Sequence, residues 1–470
     1  MKKPSVIVLS DQISGGAATL ANLLASDLAE RAEFDVERWH FSPPARSGFF
    51  PANLRELSLS PNRKRPVWER VVKNFSRKLA ARWRSQRHES ALLRAVEIAK
   101  PDLIHIHNIH SADLNHGTLL KLPAHIPLIW TIHDLWPLKA HACSWLECDT
   151  GERYRYEIGP WSRFELLETR NRLLQRGNLT LVAPSAYVAR VMRPLTRRYR
   201  MHNEMVPHVV RKEFLVPQDS AASRAKWNLT DDVFWLGVGA TWNNNRKGMD
   251  VLWNALSQID CKGLGLLVWG QPPTIPELSG LTVKIAGSVD SAETLATLYA
   301  AVDAFVCPTK GDTGPLSVLE AMAVGTVPVA SSVGGIPERV KHEERGYLFP
   351  SQDAAALAAL IEKLRSRQQP LEQIGHAAKL KPFNTRRFTN ACSKHEHDAA
   401  TFANSRDHSC LSPGRKAGAA ASGPAQLSHR RIVCVLRRST GRIGCRGMQG
   451  DATSGKTISG GSSHSQDCGA

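Results

Sequence analysis

Two carboxylates, Asp312 and Glu320, stand eight residues apart in Gly311-Asp312-Thr313-Gly314-Pro315-Leu316-Ser317-Val318-Leu319-Glu320. Upstream, Ala304-Phe305-Val306-Cys307-Pro308 reads as a short buried strand ended by proline. Gly314-Pro315 marks a turn, and Ser317 is placed to cap a helix opening at Val318. The first backbone N–H groups of such a helix are unpaired and lie at the positive end of its dipole, so the turn Gly314-Pro315-Leu316-Ser317 would cradle an anion, with Pro315 setting the turn and its neighbours donating. The chemistry that fits is recognition of a diphosphate with a sugar on each side. Asp312 would serve one sugar, Glu320 the other, and the helix start the phosphates.

Three further groups have the right types for the same work. Gly15-Gly16 follows the strand Val6–Leu9 and removes side chains where backbone must approach a phosphate or a sugar. His133-Asp134 follows the strand Pro127–Ile132; a His beside an Asp is as a rule a structural pair, and its flanks decide otherwise below. Arg246-Lys247-Gly248 follows the strand Phe234–Val238 and offers cations to a leaving diphosphate. The glycines of Gly237-Val238-Gly239 lack the third glycine of a dinucleotide-binding turn, so that reading is weak. His105 and His107 alternate onto one strand face. No carboxylate accompanies them, and Cys143 and Cys148 have no second pair, so no metal site is expected.

All four groups lie just past the carboxyl ends of expected strands, where open α/β sheets bind ligands. Strands and helices alternate through residues 1–210, with a last short strand expected at Val206-Pro207-His208. The pattern restarts over 224–383, with strands at Leu264–Val268, Thr282–Ala286, Ala304–Val306 and Val327–Ala330 and a helix over Ala354–Arg365. A linker near Val210–Ser223 divides two parallel, doubly wound domains.

The chain has 470 residues and a net charge of +18, of which the tail after Asn384 supplies +8. Residues 63–84 pair an apolar stripe (Trp68, Val71, Val72, Phe75, Leu79, Trp83) with an Arg/Lys face, the composition of a helix lying on an anionic membrane. The same stripe would equally suit packing on its own domain. No nucleic-acid motif accompanies the charge. No apolar run approaches the ~18 residues that span a bilayer. The start reads as a strand rather than a leader, so a cytoplasmic protein, peripheral at a membrane, is expected. Nine scattered cysteines agree with a reducing compartment.

The run from Asp312 to Glu320 resembles the E-x7-E signature of retaining glycosyltransferases, in particular glycosyltransferase family 4, with Asp312 where the family usually has Glu. The likeness extends through Gly325-Thr326-Val327-Pro328-Val329-Ala330, Gly334-Gly335-Ile336-Pro337-Glu338 and Gly346-Tyr347-Leu348-Phe349. Trp130-Thr131-Ile132-His133-Asp134-Leu135-Trp136 resembles a segment of the colanic-acid-type exopolysaccharide members. Thr241 stands where a phosphate-binding Arg is common in the family. The resemblance covers about four-fifths of the chain and implies the GT-B architecture, two Rossmann-like domains facing a cleft: an acceptor domain (1–210) and a nucleotide-sugar donor domain (224–383). It further implies transfer of a hexosyl group from a UDP- or GDP-sugar to a glycan or lipid-linked acceptor, with retention. His133, Asp312 and Lys247 would be catalytic. Gly15, Gly16, Arg246, Lys247, Glu320 and the Gly314–Ser317 turn would hold the donor. Neither a metal nor a cofactor is expected, and no Asp-x-Asp occurs.

Family-like sequence stops near Phe388, and residues 384–470 mix Gly, Ser, Arg and Cys without periodicity, which predicts a disordered tail in place of a closing helix. The alternatives are a catalytically impaired homologue and a non-hydrolysing sugar-nucleotide epimerase, which would act without an acceptor.

Overall fold

A computed structural model describes residues 3–31, 33–45, 49–60, 77–139, 163–241, 245–271, 275–289, 291–366 and 371–379. The Trp68–Phe75 part of the apolar stripe, Cys143, Cys148, Trp242–Asn244 and the tail lie outside the described residues.

The first domain is a seven-stranded sheet: β1 (Ser5–Leu9), β2 (Asp35–His40), β3 (Arg55–Ser58), β4 (Leu103–Ile106), β5 (Leu128–Thr131), β6 (Leu179–Ala183) and β7 (Asn203–Met205). Its order is β3-β2-β1-β4-β5-β6-β7, all parallel. The helix Gly16–Arg31 covers one face, burying Leu20, Leu24 and Leu28 on Val6 and Val8. Helices Arg77–Ala99, Arg163–Leu174 and Ala186–Tyr199 cover the other, with Ile7, Ile104, Trp130 and Leu181 beneath them. Strands buried on both faces read as continuous apolar runs, which is why β1, β4, β5 and β6 were visible in the sequence.

The second domain repeats the plan with β8 (Phe234–Thr241), β9 (Leu264–Gln271), β10 (Leu281–Gly287), β11 (Ala304–Cys307), β12 (Val327–Ser331) and β13 (Tyr347–Phe349). Its order is β10-β9-β8-β11-β12-β13, again parallel. Two doubly wound sheets facing each other are the GT-B architecture.

Three expectations are corrected. The last strand of the first sheet is Asn203–Met205, not Val206–His208, because Pro207 has no N–H to give a ladder. Within the expected linker, Lys212–Leu215 forms a 3-10 turn whose Phe214 is wholly buried in the second domain's core. The helix after Pro315 opens at Leu316 with Pro315 as its cap residue, so Ser317 caps nothing. Pro315, at φ −65°, already has the conformation of a helix entry, and the Ser317 hydroxyl instead faces the Cys307 thiol.

The glycines of β8 have a different purpose from nucleotide binding. A Cβ on Gly239 would lie 2.0 Å from Trp269 Nε1, and one on Gly237 would lie 2.9 Å from the same indole. On β9, a Cβ at Gly265 would meet the Trp235 ring at 2.4 Å. The two strands interlock, each tryptophan filling the space over its neighbour's glycine.

Candidate active site

In each sheet the strand order reverses between two neighbours, β1 and β4 in the first and β8 and β11 in the second. The crevices beyond those strand ends are where doubly wound sheets hold ligands. Gly15-Gly16 follows β1, His107–His110 follows β4, Arg246-Lys247 follows β8 and Asp312 follows β11.

The cations and the first carboxylate meet. Arg246 Nη1 donates to Asp312 Oδ2 at 3.1 Å and Lys247 Nζ to the same oxygen at 3.3 Å. The Gly314 N–H donates to Oδ1 at 3.2 Å. Burial pushes the Asp312 carboxyl up, but Lys247 and Arg246 outweigh it and hold the acid below its ordinary value. Two stitches fix the cation loop on the acid's loop: Lys310 N–H to the Arg246 carbonyl at 2.8 Å, and Arg246 Nη1 to the Gly311 carbonyl at 3.1 Å. Gly248 makes this approach feasible, since at φ +70° a Cβ there would sit 1.8 Å from the Pro308 carbonyl oxygen. Beneath the loop Cys307 is buried, its thiol pushed up to about 11 mainly by desolvation.

Glu320 does not face Asp312. Its Oε2 accepts from the Tyr299 hydroxyl at 3.1 Å, and burial raises its pKa against the lowering pull of Arg211 and of that bond. The pair of acids therefore serves two separate places, one at the turn and one along the helix flank.

Opposite the turn stands the first domain. Gly16 is exposed, and a Cβ there would lie 3.9 Å from Leu316 Cδ1. The Thr313 hydroxyl donates to the His133 carbonyl at 2.7 Å. His208, just after β7, donates from Nδ1 to the Gly314 carbonyl at 3.0 Å, which leaves Nε2 as a bare acceptor.

His133 joins a stack rather than pairing with Asp134. His105, His107, His133 and His208 follow one another at ring-centroid distances of 4.8, 4.9 and 5.3 Å, and His107 Nδ1 bonds His133 Nε2 at 2.8 Å. Burial, then neighbouring imidazoles, holds His107 and His133 well below the ordinary histidine value; burial lowers His208 to about 4. His107, His133 and His208 are therefore neutral at pH 7. The residues around His133 build it: Thr131 Oγ1 bonds His105 Nε2 at 2.9 Å, and the Trp130 indole donates to the His107 carbonyl at 2.9 Å. Asp134 instead accepts the Trp136 N–H at 2.9 Å, with its other oxygen 3.6 Å from His110. Among the described residues no three His, Cys, Asp or Glu side chains converge as metal ligands would.

Thr313, His208, Tyr299 and Arg38 were not found from the sequence. Arg38 is wholly buried in β2, donating to Ser10 Oγ at 2.6 Å, Asn22 Oδ1 at 2.8 Å and the Gln12 carbonyl at 3.1 Å, so it pins the loop that leads to Gly15. A charged residue inside a sheet has no signature in hydropathy.

Residues 14–210 match the family model "Glycosyltransferase Family 4", and residues 233–367 match "Glycosyl transferases group 1". The putative colanic acid biosynthesis glycosyltransferase WcaL of Salmonella typhimurium is 37% identical over 147 residues, 27% of this chain and 36% of that protein. The chain spans less than two thirds of the length of the curated relatives it matches, from 16% to 62%. In fold it is similar to the sucrose-phosphate synthase of Thermosynechococcus elongatus (TM-score 0.64, 20% identity, 86% of this chain and 100% of that one). It is likewise similar to Anabaena HepE in complex with UDP and glucose (TM-score 0.59, 15% identity, 84% and 99%).

Proposed function

The chain belongs to the glycosyltransferases of GT-B architecture, and from that premise we propose that it moves a hexosyl group, with retention, from a nucleotide-diphosphate sugar to a glycan or lipid-linked acceptor in polysaccharide assembly. The observation that carries this reading is the meeting of Lys247, Arg246 and Asp312 with the start of the Leu316–Val324 helix, directly across from Gly16 and His133. Cleavage of the sugar–phosphate bond piles negative charge on the departing diphosphate. Lys247, Arg246 and the helix N–H groups are already gathered where that charge develops, which is how preorganised charge lowers a barrier. Protein cations do here the work that makes a resident metal unnecessary in the proposal.

In this scheme the diphosphate draws Lys247 toward itself, and Asp312 turns an oxygen to the donor-sugar hydroxyls. Glu320 takes the ribose beside Tyr299. Neutral His133 contributes a hydrogen bond rather than a charge. The Gly15-Gly16 backbone closes over the phosphates from the acceptor side. UDP in the HepE complex supports a uridine donor, and the name of WcaL supports a polysaccharide acceptor.

The acceptor side also supports work at an anionic surface. Arg190, Arg193, Arg197, Arg198 and Arg200 are exposed along the Ala186–Tyr199 helix and its cap, with no acid among its residues. Near anionic lipid each contributes about 1 kcal/mol. Leu79 and Trp83, the described end of the apolar stripe, begin the Arg77–Ala99 helix on the same face of the sheet, Leu79 43% exposed. Among the described residues no helix is long and apolar enough to cross a membrane. We therefore place the protein peripherally, through 63–84 and this arginine face.

Thermal unfolding with UDP-, GDP- and ADP-sugars tests the donor. At 100 times its dissociation constant a ligand adds roughly 2.7 kcal/mol of stability. One sugar nucleotide should raise Tm, and Glu320→Ala should abolish the rise. No rise with any of them would overturn the reading.

A further inference from the structure

Glu338 ends the Gly334-Gly335-Ile336-Pro337-Glu338 run, and nothing in the donor chemistry above uses it. Its carboxylate leaves the second domain. Oε2 accepts the N–H of Ala186 at 2.8 Å and Oε1 that of Tyr187 at 2.5 Å. These amides open the Ala186–Tyr199 helix of the first domain, and the first N–H groups of a helix have no partner within it. Ser185 Oγ satisfies Val188 at 3.3 Å, so the helix start is capped partly by its own domain and partly by the other.

The opposite end of the run presses on the donor loop. Gly334, at φ +56°, lies so close that a Cβ would stand 1.8 Å from the Asp312 carbonyl oxygen. One on Gly335 would stand 2.1 Å from that of Thr313 and 3.1 Å from Ser185 Cβ. The Gly335 N–H donates to the Asp312 carbonyl at 3.2 Å. Between the ends runs a 3-10 turn, stiffened by Pro337 and anchored by the wholly buried Ile336. Five residues thus join a helix end in one domain to the Asp312–Gly314 backbone of the other. Thr313 to His133 and His208 to Gly314 also cross the cleft, but both are bonds between neutral groups. Of the three contacts, Glu338 brings a full charge, set on a helix dipole of opposite sign.

We propose that Glu338 is a positioning residue: by seating on the Ala186 helix start it fixes the Asp312–Gly314 loop, and with it Lys247 and Arg246, at working distance from Gly16 and His133. The catalytic part of this rests on the glycosyltransferase reading; the geometric part does not.

The test compares the full chain with Glu338→Ala and Glu338→Gln, the second keeping length and one acceptor oxygen while removing the charge. Both changes are on an exposed side chain, so both variants should fold. Hydrogen exchange should speed up at Ala186 and Tyr187 but not at Val188, and small-angle scattering should show a larger radius of gyration. A carboxylate at an exposed helix start shifts such an equilibrium roughly two- to fivefold. UDP, whose cations Glu338 does not touch, should bind with a Kd within about twofold of the parent's. Turnover of a UDP-sugar should lose kcat with little change in donor KM, and Glu338→Gln should fall between the parent and Glu338→Ala. Unchanged exchange at Ala186 and Tyr187 would overturn the proposal. Faster exchange with unchanged scattering and kcat would reduce Glu338 to a helix cap and overturn its positioning role. Failure of the unsubstituted protein to bind UDP would count against the glycosyltransferase reading instead, while exchange and scattering still decide the role of Glu338.

Discussion

Three donors share the two oxygens of Asp312: Arg246, Lys247 and the Gly314 N–H. The acid is therefore first an anchor for two cations that would otherwise repel each other within a few ångströms. Asp312→Asn should leave them uncompensated and destabilise the fold by about 1–3 kcal/mol, the usual cost of orphaning a part-buried charged bond. UDP would then supply the missing negative charge. The rise in Tm on adding saturating UDP should be greater in Asp312→Asn than in the parent, by thermal denaturation of both. An equal or smaller rise would mean that the cations do not meet the diphosphate. One methylene shorter than Glu, Asp312 is drawn in among its cations, and its short reach was legible only as a departure from the family signature.

At the scale of elements, the Gly-to-Trp interlock of β8 and β9 gives a sharp expectation. Gly239→Ala puts a methyl on the Trp269 ring, and overpacking of that kind costs typically 1–3 kcal/mol. Urea unfolding should show it, and pairing the change with Trp269→Leu should recover part of the loss. A fully neutral Gly239→Ala would mean the strands can slide apart freely. The same pair of strands shows what the sequence can and cannot say. The apolar runs of β8, β9, β11 and β12 were evident, and the Ala354–Arg365 helix was legible to the residue; the structure adds that the Asp353 side chain caps it. The reason for the β8 glycines was not legible, since it lies 30 residues away on another strand. β2 (Asp-Val-Glu-Arg-Trp-His) and the four-residue edge strand β3 escaped notice because charges interrupt the run that burial would otherwise leave. In the site, the residues past strand ends were readable from spacing. Which of them touch was not: Glu320 turned to Tyr299, and His133 turned to His107 instead of its neighbour Asp134.

The whole molecule carries its neutral imidazoles across the domain boundary, and this sets its response to acid. His116 and His208 are lowered to about 4, and His107 and His133 well below the ordinary 6.5, all chiefly by burial. Below pH 6.5 the unfolded chain binds these protons while the folded one refuses them, so stability is lost as pH falls from about 6.5 toward 4. Each such histidine contributes a slope of up to about 1.4 kcal/mol per pH unit. Urea midpoints at pH 7 and pH 5 should differ accordingly, and His208→Gln should flatten the dependence by about one proton. A flat profile would show that these rings are wet. Each sheet, finally, is built from an unbroken stretch of chain, β1–β7 within 5–205 and β8–β13 within 234–349. Synthesis runs at roughly 5–20 residues per second, so on the order of ten seconds separate completion of the first sheet from the emergence of Glu338. For that interval the nascent first domain must stand alone at the ribosome with the amides of Ala186 and Tyr187 facing water.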